Sequence, residues 1–243
     1  MDRPIVYPAE MPVETDFLNV GRFAYEGFGL LVRDLIGTGT AVAGLPCTPT
    51  ATPSMTVNVG PGRIYTLANL EPTAIGQIAG LGGLPADNNP DHQIVKQGLL
   101  RDTTLIGGSG SPFTAPGTAG QSINYLIQAQ FVTADSTPTQ RTYFNSQNPT
   151  VAIPSNVSNV RMDQVALSVK AGTPAATGSQ VTPTADAGCV PVWVITVANA
   201  QTTIVAGNIA QHPSVPILSF SDAGARADLA KLKARRRLFQ KEF

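Results

Sequence analysis

The stretch Ile123-Asn124-Tyr125-Leu126-Ile127-Gln128-Ala129-Gln130-Phe131 decides the fold class. Apolar side chains recur at every second position from Ile123 to Phe131, the two-residue period of a β-strand. The same alternation, bounded by Gly, Pro, Asn or Asp, predicts strands at 55–59, 62–67, 93–101, 122–133, 140–145, 160–170, 190–198 and 201–206. Asn199-Ala200 between the last two predicts a tight hairpin. The Thr-Pro pairs at Thr48-Pro49, Thr52-Pro53, Thr137-Pro138, Thr173-Pro174 and Thr182-Pro183 are expected outside the sheets, because proline cannot donate to a ladder. Strand after strand without strong intervening helices predicts a mainly β chain with a β-sandwich or barrel-like body.

The two ends read differently. Pro4, Pro8 and Pro12 forbid a helix and predict an extended arm whose Ile5, Val6, Tyr7 and Met11 need a surface to lie on. After Thr15 or Asp16 as cap, Phe17, Val20, Ala24, Phe28, Leu31 and Leu35 recur at three and four, which predicts a helix ended by Gly37-Thr38-Gly39. A second helix is expected after Ser221-Asp222, with Ala225, Leu229, Leu232, Arg236, Phe239 and Phe243 at spacings of four and three and Arg236 as the one polar break. The predicted organisation is an arm and helix over 1–36, a β-rich body over 37–218 and a charged C-terminal helix over 219–243.

Charge is concentrated at those ends. Of 243 residues 32 are charged, about half the usual ~25% share, and residues 37–218 hold only 13 of them. Residues 1–36 carry three basic against six acidic side chains, and the segment from Asp222 carries seven against three. Ends of opposite sign allow copies to dock on one another or on a larger scaffold. A body so poor in ionisable groups offers little for acid–base work and fits an oligomeric assembly part better than an enzyme.

The individual signals for chemistry are weak. His92, His212, Cys47 and Cys189 lack the spacing of a metal site, so no metal or cofactor is expected. A bridge between Cys47 and Cys189 is open, and two buried free thiols in a reducing cytoplasm are the expectation. No G-x-S-x-G elbow occurs, and Asp135, Asp163 and Asp186 read as turn residues or strand ends, so no catalytic residue is assigned. Gly60-Pro61-Gly62 and Gly107-Gly108-Ser109-Gly110 precede neither Lys-Ser/Thr nor a helix and read as a turn and a loose loop. Arg235-Arg236-Arg237 lies among Leu229, Leu232, Leu238 and Phe239, which favours protein docking over nucleic acid. Trp193, between Val192 and Val194, is expected to pack. The apolar stretch from Phe28 to Ile36 is interrupted by Arg33 and Asp34 and too short to cross a bilayer, and acidic residues interrupt any secretory signal at the start. A protein made in the cytoplasm is expected.

Four stretches carry a resemblance: RPIVYPAEMPVETDFLN (Arg3 to Asn19), TAGQSINYLIQAQF (Thr118 to Phe131), VKAGTPAATG (Val169 to Gly178) and DAGCVPVWVITVANAQTTI (Asp186 to Ile204). Together they resemble tail proteins of tailed bacteriophages and prophages, of tail-fibre or baseplate type. That resemblance implies a non-catalytic virion component of the distal tail in several symmetric copies, most simply a homotrimer, contacting other tail proteins. Family members often continue into a fibre shaft and receptor-binding tip. The end at Phe243 after a charged helix suggests a fibre base or adaptor. The alternative is recognition of host surface polysaccharide through the long loops 70–92 and 107–120, with Tyr143, Phe144 or Trp193 as stacking surfaces.

Overall fold

A computed structural model of the chain describes residues 2–77, 82–107, 111–144 and 148–218. The described chain is mainly β, with one α-helix, α1 (Glu14–Ile36), and eleven strands. These are β1 (Ala41–Gly44), β2 (Cys47–Pro49), β3 (Val57–Val59), β4 (Gly62–Ala68), β5 (Ile94–Leu100), β6 (Thr104–Ile106), β7 (Gln121–Tyr143), β8 (Ile153–Ala171), β9 (Ala175–Ala176), β10 (Cys189–Ala198) and β11 (Ile209–Gln211). The chain forms two compact units: Met1–Gly44, Tyr65–Lys96 and Pro213–Phe243 make the first, and Leu45–Ile64 and Gln97–His212 the second.

The second unit is built around β7. Strand neighbours run β5–β8–β7–β10–β11 with β9 also on β7, and β2–β3–β6 make a separate three-stranded sheet. β7 and β8 pair antiparallel without a slip from Tyr125↔Ala171 to Tyr143↔Ile153. Ser122 to Ala129 are all buried, so both faces of this strand are covered. On its apolar side Ile195 and Val197 of β10 stand opposite Tyr125 and Ile123, and both are fully buried. Tyr125 stacks edge-on against Phe113, with ring centroids 5.3 Å apart. Its hydroxyl donates to the Thr114 carbonyl at 2.7 Å and accepts from the Thr114 N–H at 2.9 Å.

The polar positions of β7 are satisfied by partners from neighbouring segments, neutral except for the Asp186 carboxylate, to which Gln128 also donates. Asn124 donates to Thr182 Oγ1 at 2.9 Å and accepts from Thr196 Oγ1 at 2.8 Å. Ser122 pairs with Thr177 at 2.8 Å, and Gln128 donates to Ser168 and accepts from the Asp186 N–H. A buried amide left without such partners costs about 1–3 kcal/mol. Thr, Ser, Asn and Gln therefore serve as interior residues here, which accounts for a body low in both charge and exposed apolar strand. Gly172 permits this cover, since a Cβ there would lie 2.7 Å from the Asn124 carbonyl and 2.9 Å from that of Val181.

The first unit holds α1, with β1, β4 and β5 as successive neighbours. Asp16 reaches back to accept from the Val13 N–H at 2.9 Å, satisfying one donor at the helix start. Gly37, at φ 81°, donates to the Arg33 carbonyl and ends the helix. The helix rests on Gly29, its one buried residue, where a Cβ would lie 2.6 Å from Ile94 Cδ1. Arg22 and Arg33 tie the same side down, to Asp87 at 2.6 Å and to the Gln93 carbonyl at 3.0 Å. The described residues end in this unit at Leu218, whose N–H donates to the Val42 carbonyl at 2.7 Å.

Several expectations change. Thr48-Pro49 lies inside β2, and segments 122–133 and 140–143 are parts of one 23-residue strand that contains Thr137-Pro138, with Thr137 at φ 59° and Pro138 opposite Ser158. Proline is tolerated there because no further strand pairs with that edge in the described ladders. Segment 201–206 is not a strand. Gln201 Nε2 donates to the Thr203 carbonyl and to Asn208, holding the segment as a loop, and β10 pairs instead with β11 through Ile195↔Ile209. The arm is not uniformly extended, since Tyr7 to Glu10 form a turn with Ala9 at φ 66°. The expected C-terminal helix over 219–243 lies outside the described residues.

Candidate assembly surface

The side of α1 that the sequence marks as apolar is not the side that packs. Inward contacts come from Glu14, Leu18, Arg22, Tyr25, Gly29 and Arg33, spaced by four or three. Phe17, Val20, Phe28, Leu31 and Leu35 are 53–69% exposed, and Ala24 between them is exposed too. At 100° per residue these six positions fall on one stripe of about 80°. The arm adds Ile5 (74% exposed), Tyr7 and Met11 (86%). Exposed apolar residues scattered singly need no explanation, but a continuous helical stripe does.

Unit two presents a second open surface. From Thr133 to Tyr143, β7 pairs only with β8 in the described ladders, leaving a two-stranded ribbon with both outer edges unpaired. Its residues are mostly exposed, including Ile153, Val160 and, just past the end of β7, Phe144 at 76%. An isolated ribbon of this kind is marginal in water, and open edges are templates for further pairing. Asp135 and Arg161 brace it through two hydrogen bonds of 2.7 and 2.9 Å. The Arg161 hydrogen bonds hold the Asp135 carboxyl below its usual range.

The sequence-level candidates for chemistry are dispersed into structural roles. Asp135 and Asp163 are mid-strand cross-strand partners, of Arg161 and of Thr133 (2.5 Å), and not turn residues. Asp186 does lie in a loop, where Lys170 and Gln128 both donate to it and lower its pKa. Trp193 donates its Nε1–H to the buried Leu45 carbonyl at 2.7 Å, which makes it a packing residue. Cys47 and Cys189 are free thiols, and burial pushes Cys47 up to about 12. Gly60 forms a turn against Pro46, not a cradle. Loops 70–92 and 107–120 are partly pinned, by the bridges Glu71↔Asp87 and Ile75↔Leu84 in the first and by buried Phe113 in the second.

One polar cluster escaped sequence reasoning. Asp87 accepts from Arg22 at 2.6 Å and pairs with His92 Nδ1 at 3.0 Å, and Asn89 contacts the other ring nitrogen at 3.2 Å. Burial pushes the Asp87 carboxyl up, but the hydrogen bonds from His92 and the Asn89 N–H, with the Arg22 guanidinium beside it, outweigh it and hold the group below its usual range. The cluster fastens α1 to the turn before β5, and no hydroxyl or thiol is bonded to His92 among the described contacts. Arg22 and Asp87 are 65 residues apart, so no local pattern links them.

Among the described residues no group of three or more His, Cys, Asp and Glu converges to hold a metal ion, and no helix is long and apolar enough to cross a membrane. Comparison with known proteins returned no matching family model, no similar curated protein and no similar solved structure.

Proposed function

We propose that the chain is a non-catalytic structural component of a bacteriophage tail, a fibre base, fibre adaptor or baseplate part, that assembles as a symmetric oligomer, most simply a homotrimer. The body is a sandwich- or barrel-like structure, a reading supported by the two sheets within the second unit. The arm and helix over 1–36 and the charged helix over 219–243 serve attachment to sibling copies and to other tail proteins. The observation that carries this reading is the β7–β8 ribbon, which exposes two unpaired edges along Val132 to Tyr143 and Ile153 to Asp163. Such edges are stabilised when copies align them. Sedimentation equilibrium of the purified chain, with immunogold labelling of intact particles, tests it. The expected result is a discrete oligomer and label at the distal tail. A monodisperse monomer absent from virions overturns the reading.

Recognition of host polysaccharide is a second reading, favoured by the exposed Phe144 ring beside Tyr143 at the ribbon end. A glycan array separates the two: binding abolished by Phe144→Ala supports recognition, and no binding to any glycan leaves the structural role alone.

A further inference from the structure

The open ribbon keeps its two faces chemically apart. Cross-strand partners such as Asp135↔Arg161 and Ser136↔Val160 share parity, so odd-numbered residues of both strands lie on one face and even-numbered residues on the other. All four charged side chains of the ribbon, Asp135, Arg141, Arg161 and Asp163, belong to the odd face. Hydrogen bonds along that face join Asp163 to Thr133, Arg161 to Asp135, Arg141 to Asn159 and Asn159 to Thr139, so the alternation holds on both sides of Thr137. The even face carries no charge and includes Ala134, Ser136, Ser158, Val160 and Met162. Segregation of this kind marks a strand with one face in water and the other on a core. Yet seven of the ten even-numbered residues are exposed, Val160 at 45% among them.

We propose that three copies join the free edge of β7 in one to the free edge of β8 in the next, closing a six-stranded barrel about the three-fold axis with the even face inside. The inference rests on the assembly reading and deepens it by naming which edges meet and which face they enclose. The two edges match in length, eleven residues from Thr133 to Tyr143 and eleven from Ile153 to Asp163, about 37 Å at 3.4 Å per residue. They also run in opposite directions, so in a ring of copies pointing the same way every new pair is antiparallel, like the pair within the ribbon. Joining unlike edges is a head-to-tail contact that closes on itself by rotation. Joining β7 to β7 across a two-fold axis would leave both β8 edges open, whereas a closed barrel has none. Eight strands enclose a space just wide enough for side chains to fill, and six enclose less, which suits Ala134, Ser136 and Ser158. Gln140 and Asn156, opposite one another, supply neutral donors and acceptors to that interior. The four charged side chains fall on the outside, in water.

The test is disulfide trapping in the full-length chain carrying Cys47→Ser and Cys189→Ser. Thr139→Cys, on β7, is co-expressed in turn with a second chain carrying Ile153→Cys, Ser155→Cys, Val157→Cys or Asn159→Cys, on β8. At least one mixture is expected to oxidise to a bridge between unlike chains, and no variant is expected to bridge when expressed alone. A second readout is sedimentation equilibrium of charge variants. Val160→Lys, on the enclosed face, is expected to weaken the trimer by about a hundredfold or more, because a charge without a partner is costly in a dry interior. Thr139→Lys, on the outer face, is expected to change it by no more than about twofold. The near-ultraviolet signal of Trp193, the one tryptophan, checks that the body stays folded in both. A Thr139→Cys chain that bridges to itself, or an oligomer that forms no mixed bridge and tolerates Val160→Lys, overturns the closure and leaves the assembly reading in place. A wild-type chain that sediments as a monomer overturns the assembly reading, and the closure with it.

Discussion

The seat of α1 on β5 is a contact of backbone against side chain, and replacing Gly29 by Ala probes it directly. In an exposed helix the change should stabilise by about 0.8–1 kcal/mol, because alanine is the better helix former. Here the new Cβ would lie 2.6 Å from Ile94 Cδ1, 2.8 Å from its Cβ and 3.1 Å from its Cγ1, and Ile94 is fully buried. The Cβ of Ile94 belongs to strand β5 and cannot rotate away. Overpacking of this kind costs about 1–3 kcal/mol, so the net expectation is a loss of about 0.5–2 kcal/mol. For a chain of this size that is a fall of roughly 2–6 °C in Tm, readable by differential scanning calorimetry. The cycle with Ile94→Ala isolates the cause. Ile94→Ala alone costs about 2–5 kcal/mol by leaving a cavity. In that background two of the three close atoms are gone, so Gly29→Ala should cost at least about 1 kcal/mol less than in the wild type. If Gly29→Ala instead raises Tm equally in both backgrounds, the helix is not seated at this distance and the argument fails.

Three other perturbations follow from the same geometry. Tyr125→Phe removes a hydroxyl bonded to both the N–H and the carbonyl of Thr114, and should cost about 1–3 kcal/mol in urea unfolding, with Thr114→Ser close to neutral. Cys47, with its thiol raised to about 12, should resist alkylation at pH 8 in the native chain and react within minutes once unfolded. Its proton is held more tightly in the folded state, so the stability it contributes is whole below the unfolded value near 9 and fades as pH rises toward 12. Asp135→Asn should lower stability by less than about 1 kcal/mol at pH 7, because Asp135 is half exposed and its pair with Arg161 is screened. Its pKa is depressed, so the loss should vanish as pH falls through the folded-state value, and an undiminished difference at pH 2 would contradict the pairing.

The fold was legible wherever burial falls on one side of an element. The period-2 reading of 62–67, 93–101 and 190–198 places strands within one or two residues of β4, β5 and β10, and of these β10 shows the alternation of buried and half-buried positions. The extent of β7 beyond Phe131 was hidden, since its outer half is exposed and its order comes from pairing with β8, not from a hydrophobic pattern. The existence of α1 was readable, yet its packed side was misjudged. Gly29, Arg22 and Arg33 carry no hydrophobic signal, and the six apolar positions that do carry it face outward. The short strands β2, β6, β9 and β11, of two or three residues each, have no periodicity to detect. The candidate surface was foreshadowed by the uneven placement of charge, which marked the ends as contact regions without saying which side of α1 was open.

The hydrogen bonds that close over β7 have an environmental corollary. Asn124 with Thr182 and Thr196 joins an amide to hydroxyls, and Ser122 with Thr177 joins two hydroxyls, groups that neither titrate in the ordinary pH range nor attract counter-ions. These contacts inside the second unit are therefore insensitive to the ionic strength and acidity outside it, unlike the bond from Gln128 to the Asp186 carboxylate. Their strength should change little between brine and fresh water, which leaves the responsive chemistry to the charged groups nearer solvent.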